Sequence, residues 1–212
     1  MEEENITIDE KAETVMKIAT CTIGRMENSY VQEFVDHYKS LGVDKMFIYD
    51  NNYGKEEHFE DVIMKDISDG FVEIVDFRDK SICQLTAYQD CYNRHNSEYD
   101  WFIYCDVDEF LTLKDFGSIK DFLSQDKFND FDMIHVNWKI YDDNDQVVRT
   151  EGGVKDRFTR VKEPLDFKKT YKLHGLLLYK GEAKKGVALL HIHDRLIIYS
   201  IKDKELGFYM AI

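Results

Sequence analysis

The sequence predicts an α/β protein with three α/β/α layers around a mostly parallel central sheet, and two observations carry that expectation. Through the first half, four apolar runs of strand length alternate with segments of helical periodicity, the pattern of parallel strands covered by helices on both faces. The ends of those runs are polar: Thr22 and Arg25, then Asp50, Asn51 and Asn52, then Asp76 and Arg78, then Asp106 and Asp108. Open α/β sheets bind ligands just beyond the carboxyl ends of their strands, so these residues are expected to converge on one crevice.

The elements follow in order. Residues 17–22, "KIATCT", read as a buried strand. In "SYVQEFVDHYKSLG", Tyr30, Val31, Phe34, Val35, Tyr38 and Leu41 form a helical stripe, opened by a capping box of Ser29 with Gln32 and closed by Gly42. "KMFIYD" (45–50) is the second strand, "HFEDVIMKDI" a short helix and "FVEIVDF" (71–77) the third strand. "ICQLTAYQDCYNRH" makes the next helix and "WFIYCD" the fourth strand. Beyond Asp108 the pattern loosens: a helix around 119–123, a strand at 132–138, polar loops, and β-like runs at "LHGLLLYK" and "GVALLHIH".

With 212 residues, a single Pro and 11 Gly, the chain shows no obvious linker, so residues 1–212 are read as one domain. A hydrophobic share of 43% suits a packed globule. The net charge of −14 repels phosphate backbones and anionic lipid, which argues against nucleic-acid or membrane binding through bulk charge. The opening "MEEENITIDEKAE" is unlike a signal peptide, and no apolar run nears the ~20 residues of a membrane helix. Cys21, Cys83, Cys91 and Cys105 include no C-x-x-C pair and read as reduced structural thiols. The expected setting is cytoplasmic.

The stretch that concentrates chemistry is "YDWFIYCDVDEFLTL" (99–113), where an apolar run enters Asp106, Asp108 and Glu109. Like charges about 4 Å apart repel by ~4 kcal/mol at a partly buried site. An isolated D-x-D is as readily a solvated turn. Here the strand before and Phe110–Leu111 after pin the acids near the sheet. Hard oxygen ligands on a rigid strand end suit Mn²⁺ or Mg²⁺. Glu109 either orients a ligand or caps the turn. A phosphatase of the haloacid dehalogenase type also ends a strand in D-x-D, but it expects Thr or Val where Phe110 stands, and the motif on the first strand.

Several ordered blocks then make a family visible. "TCTIGRMENSYVQEFVDHYKSLGVDKMFIYDNN", "QLTAYQDCYNRHNSEYDWFIYCDVDEFL", and more loosely "VNWKIYDDND" and "DRFTR", resemble family-2-like glycosyltransferases of the branch close to family 92. The resemblance implies a GT-A (Rossmann-like) fold, a nucleotide-diphosphate sugar donor with UDP as default, Mn²⁺ or Mg²⁺, and inversion at the anomeric carbon. Residues 15–110 would form the nucleotide-sugar half and 111–212 the acceptor-side half, which is shorter than expected for a full acceptor region. Asp106 and Asp108 would hold the metal. Thr22, Arg25, Glu27, Asp50 and Asn51 would line the nucleotide pocket, with Gln84 on the donor side. His191 and His193, two residues apart on a β-like run, include a candidate further ligand. Asp156 or Asp143 is the candidate base. Arg157 and Lys172 are candidates to meet the diphosphate or the acceptor, a glycan or lipid-linked sugar, and Trp138 to stack on a sugar. Departures from the family pattern, such as "YGKEEH" where S-x-D is usual, keep a second reading open: a GT-A-like domain that binds a nucleotide or partner without catalysis.

Overall fold

The central sheet has six strands in the order β3-β2-β1-β4-β8-β6. They are β1 (Ile18–Gly24), β2 (Lys45–Asp50), β3 (Val72–Asp76), β4 (Trp101–Tyr104), β6 (Met133–Asn137) and β8 (Gly175–Lys180). The coordinates are a computed structural model that describes residues 15–54, 57–81, 83–137, 140–161, 175–180 and 206–211. β1 pairs in parallel with β2 and β4, and β2 with β3, while β8 runs antiparallel between β4 and β6. The expected mostly parallel α/β sheet is the one found.

Side-chain alternation along the strands explains the layers. Ile18, Met46 and Ile48 face the helices α1 (Val31–Ser40), α2 (Glu60–Ser68) and α4 (Ile119–Leu123), meeting Phe34, Tyr38, Ile63 and Phe122. Ala19, Cys21, Phe47 and Tyr49 point the other way, onto Ala87, Tyr88 and Cys91 of α3 (Gln84–His95). The strands are buried on both faces, which is why they read as continuous apolar runs.

A second, three-stranded sheet, β5-β9-β7, is made of β5 (Glu109–Leu113), β7 (Ile140–Tyr141) and β9 (Leu206–Ala211). A four-residue helix, α5 (Val154–Arg157), follows the loop after β7. The capping box expected at Ser29 and Gln32 is not formed. Tyr30 occupies the N-cap without a side-chain cap, because the backbone closes the turn: Tyr30 and Val31 both donate to Glu27 O at 2.9 Å. Gln32 instead donates to Asp36 and Asp66. At the other end Gly42 adopts φ +86°, the left-handed turn that ends many helices. All four cysteines are buried and free.

Candidate active site

The site forms where β4 ends beside β1. Trp101–Tyr104 are buried, and Cys105 N reaches Cys21 O before the chain turns through Asp106–Asp108 and re-enters the core as β5. Glu109 closes that turn with both its backbone and its side chain. Its N–H donates to Asp106 O at 3.0 Å, and its buried carboxylate accepts the Asp106 N–H at 3.0 Å. Tyr38 OH, from α1, donates to the Glu109 carbonyl at 2.9 Å. Of the two roles left open for Glu109, the structure assigns it the turn.

Asp106 and Asp108 face a hollow of about 420 Å³ that is also lined by Gly24, Arg25, Glu27, Asn51 and Gln84. Gln84 Nε2 donates to Asp106 Oδ1 at 2.6 Å and Tyr88 OH lies at 3.4 Å from the same oxygen. Burial nevertheless raises the Asp106 carboxyl above its ordinary range, against those two hydrogen bonds. Burial, and then the charge of Asp106, pushes Asp108 up to about 6. Glu27 rises to about 7, through burial first and then the charges of Asp108, Glu57 and Asp106. Three carboxyls whose ionisation is penalised by burial, and in Asp108 and Glu27 by neighbouring charge as well, form a donor set of hard oxygens around one hollow, and a divalent cation would relieve that penalty.

The loop carrying Arg25 and Glu27 is held from β2. Buried Asp50 accepts the Asn52 backbone N–H and its side-chain amide, at 2.9 and 2.8 Å. Asn52 Oδ1 in turn accepts Met26 N–H at 2.7 Å, fixing a residue with φ +60°. Arg78 binds the other Asp50 oxygen, so Asp50 supports the loop from behind, while Asn51 is the neighbour that lines the hollow. Thr22 is fully buried behind the strand end, and its hydroxyl has no hydrogen-bond partner among the described residues.

Asp50, His58 and Glu60 also lie close enough together to hold an ion. Arg78 already occupies that group, ion-paired to Asp50 and 2.9 Å from His58 Nδ1.

The acids expected to include a base lie elsewhere. Asp156 lines a separate hollow of about 600 Å³ between α1 and α5, with Asp36, His37 and Lys155. There Glu33 accepts the N–H groups of Val154 and Lys155, joining the two helices. Burial and then Lys155 lower His37 to about 4, so the neutral ring donates Nε2–H to Leu111 O at 2.7 Å. Asp143 is exposed in a loop whose neighbours Asp142 and Asp145 both bind Arg160. His191, His193, Trp138 and Lys172 lie outside the described residues.

Sequence reasoning missed Tyr88. Tyr88 stands four residues after Gln84, hence on the same helical face, and that spacing was the available signal.

An α/β sheet with acids gathered beyond its parallel strand ends has the open-sheet arrangement in which ligands bind just outside the carboxyl ends of the strands. The chain belongs to glycosyltransferase family 92, whose sequence profile matches residues 17–188. Among solved structures it is similar to S. aureus TarS in complex with UDP-GlcNAc, with a TM-score of 0.55 and 11% identity over 93% of this chain and 59% of that one. TarS in complex with UDP gives a TM-score of 0.52 and 10% identity over 93% and 61%. A third structure of S. aureus TarS gives a TM-score of 0.53 and 11% identity over 92% and 60%. The chain thus spans about 60% of TarS residues 1–349. A search of curated proteins gave no significant match. Among the described residues no helix is long and apolar enough to cross a membrane.

Proposed function

We propose that this chain is a metal-dependent, inverting glycosyltransferase that moves a sugar from a nucleotide-diphosphate donor, by default a UDP-sugar, to a hydroxyl of a glycan or lipid-linked sugar. The observation that carries this reading is the gathering of Glu27, Asp106 and Asp108 around one hollow at the ends of β1 and β4, with all three carboxyls raised by burial and those of Asp108 and Glu27 raised further by neighbouring carboxylates. Family membership and the TarS complexes with UDP-GlcNAc and UDP support the donor class.

Asp106 and Asp108 would hold Mn²⁺ or Mg²⁺, whose chemistry when bound is that of a Lewis acid that neutralises a leaving diphosphate. Gln84 and Tyr88 orient Asp106 by hydrogen bonds to one oxygen, which leaves the second free toward the hollow. Arg25, stacked 4.7 Å over Tyr53, and Asn51 offer donors to the nucleotide. Holding donor and acceptor in one near-attack orientation removes up to ~7–11 kcal/mol of the barrier in well-oriented reactions. Proton removal from the acceptor by a positioned carboxylate adds ~10²–10⁴-fold.

Calorimetric titration of UDP-GlcNAc with and without Mn²⁺ tests the reading. Binding should require the metal and be lost in Asp106→Asn and Asp108→Asn. Metal-independent binding that survives both substitutions would sink it. Binding without sugar transfer to any glycan acceptor would favour a nucleotide-binding domain without catalysis.

A further inference from the structure

A second hollow, of about 630 Å³, opens at the other end of β4. Trp101 begins that strand and Asp106 follows its end, a run of about five residues or ~17 Å, so this hollow lies well away from the donor crevice. The two share no lining residue. One wall is the turn that leaves α3, residues 96–100, pinned by Glu98 N–H to His95 O at 2.9 Å and by Asp100 N–H to Lys17 O at 2.8 Å. The end of α4 and the turn after it add Leu123, Phe128 and Asn129. There Phe128 N–H donates to Gln125 O at 3.0 Å and Asn129 N–H to Asp126 O at 3.1 Å. Backbone bonds hold both walls, so the hollow is preformed.

Its polar groups are of both kinds, and several are unused. Trp101 is only 3% exposed, yet its indole N–H donates to no group among the described residues. It is not sealed in the core as the Thr20 and Thr22 hydroxyls are, so it opens onto the space its ring lines. A buried indole N–H ordinarily has an acceptor. Lys180 Nζ lies 5.7 Å from the centroid of the same ring and donates to Asn129 O at 3.0 Å, which leaves two of its three hydrogens. On the acceptor side, Asp100 uses one oxygen for Lys17 N–H at 2.6 Å, and Glu98 one for His95 Nδ1 at 3.1 Å. The second oxygen of each remains. Asn96, the C-cap of α3, adds a side-chain amide that both donates and accepts.

This chemistry selects a ligand. Two carboxylates against one ammonium repel a phosphate or any other anion. A lipid tail would strand the polar groups without partners. Donors and acceptors interleaved with Leu123 and Phe128 suit a compound whose hydroxyls both give and take hydrogen bonds around an apolar ring face, and roughly 300–1,000 Å³ is the usual size of a small-ligand site. We propose that this hollow is a second binding site, for a neutral saccharide, at the end of the sheet opposite the donor crevice. Its role rests on the glycosyltransferase reading: the site holds a distant part of the glycan acceptor and so raises the effective concentration of the reacting end. Saccharide binding itself does not depend on transfer.

The test is titration of the isotope-labelled full chain with chitotriose, maltotriose and cellotriose, followed through the indole N–H resonance of Trp101. The chain has two tryptophans, so Trp101→Phe assigns the signal by its loss, and Trp138→Phe assigns it should Trp101→Phe not fold. At least one trisaccharide should shift the signal saturably without metal. Lys180→Met removes the ammonium and should raise Kd about tenfold, and Asn96→Ala should raise it about fivefold. Both variants should bind UDP with Mn²⁺ as wild type does, because neither residue lines that crevice. An indole signal unmoved by all three sugars overturns the proposal, as does equal Kd in wild type and both variants. Should Lys180→Met not fold, Asn96→Ala against wild type decides it alone. Saccharide binding without UDP binding leaves this site standing and removes the glycosyltransferase reading; UDP binding without a saccharide response does the reverse.

Discussion

A carboxylate moved from water into a crevice beside another carboxylate ionises late, and Asp108 is held up to about 6 for that reason. Its pKa is higher in the folded chain than in the unfolded one, so the folded state binds the extra proton between about 4 and about 6. Stability therefore falls as pH rises through that window in the absence of metal, and Glu27 extends the fall toward about 7. His37 has the opposite sign: lowered to about 4, it loses stability as pH falls below its ordinary range. The two effects separate by substitution. Asp108→Asn should stabilise the metal-free chain at pH 7 by roughly 2 kcal/mol, with the gain vanishing at pH 4, as read from urea unfolding. A variant no more stable than wild type at pH 7 would contradict the assigned burial. Glu109 gives a second outcome. Glu109→Ala leaves the buried Asp106 N–H without its acceptor, a loss of ~1–3 kcal/mol, and Glu109→Gln, which keeps a carbonyl oxygen, should cost less. Chemical denaturation of the three proteins checks the order.

Between elements, side-chain hydrogen bonds tie α1 to the turn and strand that follow β4 and to α5. Tyr38 joins it to the turn of Glu109, His37 to β5 and Glu33 to α5. A Cβ on Gly153 would meet the Glu33 carboxylate at 2.6 Å. Gly153→Ala should therefore separate α5 from α1 and destabilise the chain by ~1–3 kcal/mol, measured as a fall in Tm. A wild-type Tm would show that the carboxylate can step aside. At this scale β1–β4 and α1–α3 were legible because each is a local period of two or 3.6 bounded by polar or Gly residues. β5 was not. Phe110 and Leu111 do return to the core as expected, yet they do so in a second sheet, against β9 nearly a hundred residues away. No local pattern encodes that partner, nor the antiparallel insertion of β8 between β4 and β6. The candidate site divides the same way. Arg25, Glu27, Asn51, Gln84, Asp106 and Asp108 line one hollow because strand ends position them. Asp143 lies on a loop and Asp156 on the short helix α5, and the course of both depends on contacts distant in sequence.

For the molecule as a whole, a net charge of −14 makes anion binding depend on local cations, metal or Arg. UDP with Mn²⁺ should raise Tm, by the equivalent of ~2.7 kcal/mol at a hundredfold excess over Kd, and UDP alone much less. Equal shifts with and without metal would count against the metal site.

The four buried thiols give the chain its own kinetic reporter. Cys21 and Cys105 are fully enclosed and pushed up by burial, so neither offers a thiolate to an alkylating reagent while the core is closed. Cys83, by contrast, lines the hollow beside Gln84. Under native conditions iodoacetamide should mark Cys83 first, with occupancy of the crevice slowing it, and reach Cys21 and Cys105 only at the pace of global opening. One labelling time course, resolved by peptide mass, would then read ligand occupancy and unfolding rate from the same sample.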